Sequence, residues 1–70
     1  MRYPDQTIRD RVYIFVHTYI RTHGYAPTQH EIAAGAQVSR TRVTRYLRDL
    51  EAQGRIVLTE KFMRNIQLAA

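Results

Sequence analysis

The spacing of the apolar residues changes at Gly54, and this change limits the folds that the chain can adopt. Before Gly54 the apolar residues recur every three or four positions, which is typical of amphipathic helices. After Gly54 the period becomes two, which is typical of short strands. Ile56 and Leu58 alternate with Val57 and Thr59, and Ile66 and Leu68 alternate with Gln67. Because 70 residues hold one small core, the pattern predicts a mainly α domain with three helices and a small β-hairpin.

The first helix is predicted to begin near Pro4 or Thr7 and to end at His23. One face of this helix carries an apolar stripe at Ile8, Val12, Phe15, Val16 and Tyr19. Gly24 follows the stripe, and glycine accepts the left-handed conformation in which many helices end. The stripe therefore predicts that this helix packs on the core along one side.

The segment before the second helix is predicted to be extended, because Pro27 disfavours helical dihedral angles at Ala26. It is compatible with a short third strand near Ala26. Thr28 and Glu31 then have the spacing of a capping box, in which each side chain accepts a hydrogen bond from a free backbone N–H. A short second helix is predicted to follow and to end at about position 35 or 36.

The third helix is predicted to begin after Ser39, which is a favourable N-cap, and to end at Gly54. Its inward face carries Val43, Tyr46, Leu47 and Leu50 at helical spacing. The core that it shares with the second helix is predicted to contain Ile32, Val38, Val43 and Leu47. In the turn between the two helices, Gln37 is predicted to adopt a left-handed conformation that glycine would adopt at lower cost.

The chain is strongly basic, with 11 Lys and Arg residues against 6 Asp and Glu residues and a net charge of +5. Seven of the basic residues and three of the acidic ones lie between Ser39 and Arg64, so this half carries most of the net charge. A basic domain attracts polyanions, and nucleic acid above all. Ten of the 11 basic residues are arginines, which bind guanine edges and phosphates in a bidentate manner, although a biased genome composition would give the same excess.

A capped short helix, a tight turn and a longer arginine-rich helix have the order of a helix-turn-helix motif. Residues 1–70 are thus predicted to form one winged helix-turn-helix domain, with the motif at about 28–53 and the wing at about 55–68. The residues predicted to contact double-stranded DNA are Ser39, Arg40, Thr41, Arg42, Thr44, Arg45, Arg48, Lys61 and Arg64.

These predicted contacts divide into three kinds. The N-terminal part of the third helix enters the major groove in such motifs, so base edges are assigned to Arg40, Thr41, Arg42 and Arg45. Phosphates are assigned to Arg48 and to Ser39 with the helix N-terminus. The two basic residues of the wing, Lys61 and Arg64, are assigned to phosphate or to the minor groove.

Residues 24–33 resemble a block found in a known family. They read Gly-Tyr-Ala-Pro-Thr-Gln-His-Glu-Ile-Ala, which is similar to the Gly-Tyr-x-Pro-Thr-x-x-Glu-Ile-Ala stretch of the DNA-binding domain of LexA repressors. The spacing of Leu47, Leu50, Gly54 and Ile56 resembles that family's helix end and first wing strand, and residues 64–68 resemble its second wing strand. The resemblance covers nearly the whole chain and implies a winged DNA-binding domain in transcriptional regulation.

The sequence departs from the family in the turn, where Ala36 and Gln37 replace Leu-Gly and the segment before the third helix is one residue shorter. The family's operator sequence is therefore not carried over. The family's self-cleaving Ser/Lys domain has no counterpart in these 70 residues, so no peptidase is expected from them. The chain is expected to be either a fragment or a stand-alone small regulator that binds as a homodimer or with a missing partner domain.

Two other functions are compatible with the same pattern. Winged helices also serve as protein-interaction adaptors, and a basic domain of this size can bind structured RNA. The arginines also have alternative partners, because Arg45 and Asp49 are spaced for an intrahelical ion pair and Arg48 can pair with Glu51 or Asp49. Five tyrosines could stack on single-stranded bases, but Tyr19 and Tyr46 occupy core positions of the helical pattern.

Catalysis, metal binding and membrane insertion are not expected. His17, His23 and His30 match no ligand motif, and the chain has no cysteine. No catalytic arrangement, phosphate loop, signal peptide or membrane-spanning stretch is recognisable, so no cofactor and no small-molecule substrate are predicted. A cytoplasmic location at the nucleoid is expected. Phe62 and Met63, two bulky apolar residues at the wing tip, are predicted to fold back on the first helix or to contact a partner.

Overall fold

The computed structural model describes the backbone of residues 5–58 and 66–68 and the side chains of residues 7–58 and 66–68. Three helices and two strands follow one another along the chain: α1 Asp5–His23, α2 Gln29–Ala36, α3 Arg40–Ala52, β1 Ile56–Leu58 and β2 Ile66–Leu68. The predicted fold class, three helices with a β-hairpin in a winged helix-turn-helix layout, is confirmed. The predicted helix ends agree with these bounds to within one or two residues.

The two strands pair antiparallel, with Ile56 opposite Leu68, Val57 opposite Gln67 and Leu58 opposite Ile66. Ile56 and Ile66 are buried while the central pair is exposed, as the spacing of two predicts. The segment at Ala26 forms no strand. Ala26 and Pro27 are instead buried against the core as irregular backbone, so the short third strand that the sequence allowed is not formed.

The core lies where the three helices and the hairpin meet. Its buried side chains include Val12, Val16, Ile32, Val43, Tyr46, Leu47, Leu50, Ile56 and Ile66, all at most 3% exposed. Val38, predicted as a core residue, is half-buried at the edge of this cluster. Most of these side chains belong to apolar stripes that were recognisable in the sequence, whereas the buried Ala26, Pro27 and Ala36 do not.

Local hydrogen bonds define the ends of α2 and α3. The backbone N–H of Glu31 donates to Thr28 Oγ1 at 3.1 Å, and the backbone N–H of Thr28 donates to Glu31 Oε1 at 2.8 Å, which completes the predicted capping box. Ser39 Oγ accepts from the backbone N–H of Arg42 at 3.3 Å. Between these helices Gln37 has φ 58° and ψ 50°, so its predicted left-handed conformation is confirmed.

The crossing of α1 and α2 depends on Gly35. The ring of Phe15, on α1, lies so close to Gly35 that any Cβ at this position would overlap it. Two helices approach closely only where the side chains between them are small. Gly35 therefore lets the aromatic ring of Phe15 lie against the backbone of α2, and this contact sets how closely α1 and α2 approach.

Candidate nucleic-acid interface

The outer face of α3 is rich in arginine. Four of its arginines, Arg40, Arg42, Arg45 and Arg48, are exposed together with Thr41. The inner face of the same helix consists of Val43, Tyr46, Leu47 and Leu50, which are at most 1% exposed. Burial of the inner face fixes the rotation of α3, so the arginines are held on the side that faces solvent.

The first turn of α3 combines two sources of positive charge. It contains Arg40 and Arg42 and no acidic residue. The N-terminus of a helix already carries a partial positive charge, so cationic side chains there oppose helix stability and favour an anion. The arrangement is therefore better suited to binding phosphate than to stabilising the helix.

An open concavity of about 180 Å³ adjoins this first turn. It lies between α1 and the turn that joins α2 to α3, and its lining residues are Ile8, Arg11, Gln37, Val38, Ser39 and Arg42. Arg11 was not predicted as a site residue, because nothing in the local sequence of α1 indicates that it lies beside α3. Three predicted features meet here with it: the N-cap Ser39, the left-handed Gln37 and Arg42.

A LexA repressor from Herpetosiphon aurantiacus is 38% identical to this chain over 61 residues. The matched part covers 86% of the chain. The chain is therefore similar to the N-terminal portion of a LexA repressor. It spans 28% of the length of that relative. No family model matches the chain.

Thr44 differs from the other predicted contact residues. Its hydroxyl lies 3.1 Å from Gln29 Oε1 and 3.4 Å from the backbone oxygen of Arg40, so its one proton is shared between two acceptors. The side chain is half-buried between α2 and α3. Thr44 thus links the two helices of the motif and offers little free surface.

The alternative partners predicted for Arg48 are not used within residues 7–58 and 66–68. No ion pair joins Arg48 to Asp49 or Glu51 in that part of the chain. Glu51 instead accepts a hydrogen bond from the backbone N–H of Leu58 at 3.3 Å. Arg48 therefore remains exposed on the outer face of α3.

An ion pair between the hairpin and α1 involves an arginine that the sequence did not single out. Arg55 donates to Asp10 Oδ1 at 2.8 Å, and its guanidinium carbon lies 4.1 Å from the ring centroid of Tyr13. This arginine connects the start of β1 to α1. It therefore contributes to the position of the hairpin and not to the basic outer face of α3.

The other expectations from the sequence concern the wing, metal binding and membrane insertion. The wing residues Lys61, Phe62, Met63 and Arg64 lie outside the described residues. Among the described side chains, no group of three His, Cys, Asp or Glu residues is placed to hold a metal ion. No helix in the ranges 5–58 and 66–68 is long and apolar enough to cross a membrane.

Three of the aromatic residues form a cluster at the C-terminal end of α1. The ring centroids of Tyr19 and His23 are 4.2 Å apart, and those of Tyr19 and Tyr25 are 5.9 Å apart. The hydroxyl of Tyr19 donates to Glu31 Oε2 at 3.0 Å. His23, which could have suggested a metal ligand, thus packs against a tyrosine, and this cluster connects α1 to the capping box of α2.

Proposed function

We propose that residues 1–70 act as one winged helix-turn-helix unit that binds double-stranded DNA sequence-specifically for a transcriptional regulator. The observation that carries this proposal is the outer face of α3, where four arginines are exposed along the helix and its first turn contains no acidic residue. Homology to a LexA repressor supports the same function. The unit would act on the chromosome in the cytoplasm.

In the proposed complex, α3 lies in the major groove. Arg40, Thr41, Arg42 and Arg45 are the residues proposed to reach base edges, and each bidentate contact of an arginine with guanine would contribute about 1–3 kcal/mol of discrimination. Arg48 and the N-terminus of α3 bind backbone phosphates. Lys61 and Arg64 are proposed to contact the backbone or the minor groove from the wing.

Affinity is proposed to depend on two copies of the unit. A single module of this size buries roughly 600–1,000 Å² on DNA, which is at the low end for specific complexes. Two copies on a two-fold site, one helical turn apart, would double the contacts and read both half-sites. One copy alone is therefore expected to bind a half-site weakly.

The test is a titration of the chain into a fluorescent random-sequence duplex, followed by anisotropy at low and moderate salt. Arg42→Ala/Arg45→Ala is expected to weaken binding at least tenfold, because two charge-assisted contacts are lost. The matched control is Arg21→Ala/Thr22→Glu, which removes the same net charge at two exposed positions of α1 away from α3. The control is expected to retain most of the affinity.

The wild-type titration also separates this function from its alternatives. Steep weakening of binding with salt is expected, because bound phosphates release counterions. Failure to bind any duplex at low salt would contradict the proposal and favour a protein-interaction adaptor. Preferential competition by a structured RNA over duplex DNA would contradict it in favour of an RNA-binding domain.

A further inference from the structure

The concavity beside α3 brings together two arginines from helices that are distant in sequence. Arg11 belongs to α1 and Arg42 to the first turn of α3, and both line the same open space of about 180 Å³. A water molecule occupies about 30 Å³ in the liquid, so this space has room for a phosphate group. Both arginines are exposed, so their guanidinium groups remain accessible to a ligand.

The charges around this concavity are unbalanced. None of its six lining residues is acidic. Asp10, the neighbour of Arg11 on α1, is already paired with Arg55, and Glu31 is engaged by Thr28 and Tyr19. Among the described side chains, neither arginine of the concavity is joined to a carboxylate by an ion pair, so both are available to attract an anion from solvent.

The lining and position of the concavity indicate which kind of molecule carries this anion. The lining includes the apolar side chains of Ile8 and Val38, and Ser39, the N-cap of α3, also belongs to it. Because the concavity is open and continuous with the outer face of α3, a strand read by α3 can pass across it. An extended polyanion is therefore a better match than a small enclosed ligand.

We infer that Arg11 and Arg42 together bind one phosphodiester of duplex DNA in this concavity, an inference that rests on the proposed function. Arg11 is then a DNA contact supplied by α1, outside the helix-turn-helix motif itself. Its contact is independent of sequence, since a phosphate carries no base identity. Arg42 then fixes the register of α3 on the backbone, and this narrows the base contacts proposed above to Arg40, Thr41 and Arg45.

The experiment compares Arg11→Ala with Arg21→Ala, an exposed arginine of the same helix that does not line the concavity. Dissociation constants are measured by anisotropy on two duplexes of unrelated sequence across a range of salt. Arg11→Ala is expected to weaken both complexes equally, by about tenfold, and to reduce the salt slope by about one. Arg21→Ala is expected to change affinity less than about twofold. Circular dichroism melting verifies that both variants fold.

A double-mutant cycle tests whether the two arginines share a phosphate. The combined loss in Arg11→Ala/Arg42→Ala is expected to be smaller than the product of the two single losses, because either variant alone disrupts the shared contact. The losses in Arg11→Ala/Arg45→Ala are expected to multiply. If the loss of affinity in Arg11→Ala/Arg42→Ala equals the product of the two single losses, the two arginines do not share a phosphate.

The remaining outcomes separate this inference from the proposed function. If the wild-type chain binds duplexes and Arg11→Ala changes the dissociation constant no more than Arg21→Ala does, the inference is overturned and the proposed function stands. If Arg11→Ala weakens binding to only one of the two duplexes, Arg11 contacts a base, and the phosphate contact is overturned. Failure of the wild-type chain to bind any duplex at low salt would overturn the proposed function together with the inference.

Discussion

Gln37 has a backbone conformation that its side chain disfavours. At φ 58° and ψ 50° its Cβ is crowded by the backbone, which costs an L-residue roughly 1–2 kcal/mol. The position ends α2, where the backbone N–H groups of Gln37 and Val38 both donate to the carbonyl of Ala33. The turn thus forms because these hydrogen bonds and the packing of the two helices outweigh the local strain.

Gln37→Gly is therefore expected to stabilise the fold. Glycine removes the crowding, while its greater freedom in the unfolded chain offsets part of the gain, so an increase of roughly 0.5–1 kcal/mol in the free energy of unfolding is expected. Urea denaturation followed by circular dichroism measures it. The control is Gln53→Gly, because Gln53 caps α3 with φ −82° and gains nothing from glycine. Equal effects at the two positions would contradict this account.

Gly35 has the opposite requirement, since its lack of a side chain is what the fold uses. Alanine is the better helix former by about 1 kcal/mol, so helix propensity alone predicts that Gly35→Ala stabilises α2. The ring of Phe15 occupies the space of the added methyl group, however. Gly35→Ala is expected to lower the free energy of unfolding by about 1–3 kcal/mol, measured by chemical denaturation.

A substitution of Phe15 tests whether overlap between its ring and the added methyl group lowers the free energy of unfolding. Phe15→Leu replaces the aromatic ring with a shorter aliphatic side chain, so Gly35→Ala is expected to cost less in the Phe15→Leu background than in the wild type. Ala34→Gly, at an exposed position of the same helix, reports the effect of propensity alone. The same cost for Gly35→Ala in both backgrounds would rule out the overlap with Phe15.

At the scale of the elements, α2 is short and relies on its cap. A helix of eight residues is too short to be stable by itself, so both its hydrogen-bonded ends and its packing are needed. Its capping box also reaches α1, because Glu31 accepts from both Thr28 and Tyr19. The N-terminus of α2 is thus connected to the C-terminal half of α1 through one carboxylate.

Thr28→Ala is expected to lower the free energy of unfolding by about 1 kcal/mol, because Glu31 loses the hydroxyl that accepts from its backbone N–H. Thermal unfolding by circular dichroism would show a melting temperature lower by several degrees. Thr28→Ser keeps the accepting oxygen and is expected to melt close to the wild type. A comparable loss in the serine variant would mean that the methyl group of Thr28, and not the cap, is responsible.

At the scale of the whole molecule, Arg55 connects the hairpin to α1. Its side chain makes both an ion pair with Asp10 and a cation–π contact with Tyr13. The exposed fraction of the side chain is 34% for Arg55 and 44% for Asp10. Exposed ion pairs contribute about 0.2–1 kcal/mol and exposed cation–π contacts about 0.5–1 kcal/mol. The two contacts together therefore hold the start of β1 with a modest free energy.

Arg55→Ala is expected to lower the free energy of unfolding by about 1–2 kcal/mol, and Asp10→Ala by less than about 1 kcal/mol, because the second variant keeps the contact with Tyr13. Denaturation at low salt and at about 1 M salt measures both. High salt is expected to reduce the effect of Asp10→Ala, since it screens the ion pair. An effect of Asp10→Ala that does not depend on salt would contradict the ion-pair contribution.

The sequence by itself determined the elements and their ends. The helical stripes, the capping spacing of Thr28 and Glu31, the N-cap Ser39 and the two-residue period after Gly54 all predicted what is formed. These features depend on residues two to four positions apart, so they can be predicted from short stretches of the sequence. The amphipathic pattern of α3 likewise predicted which of its residues would be exposed.

Only the tertiary structure decided which distant residues meet. Arg55 and Asp10 are 45 positions apart, and Thr44 and Gln29 are 15 apart. The same is true of Arg11, which reaches the concavity beside Arg42 only because α1 packs against the turn before α3. Such contacts depend on the angle and depth at which helices cross, and packed side chains such as Phe15 on Gly35 set both. No local pattern in the sequence encodes that geometry.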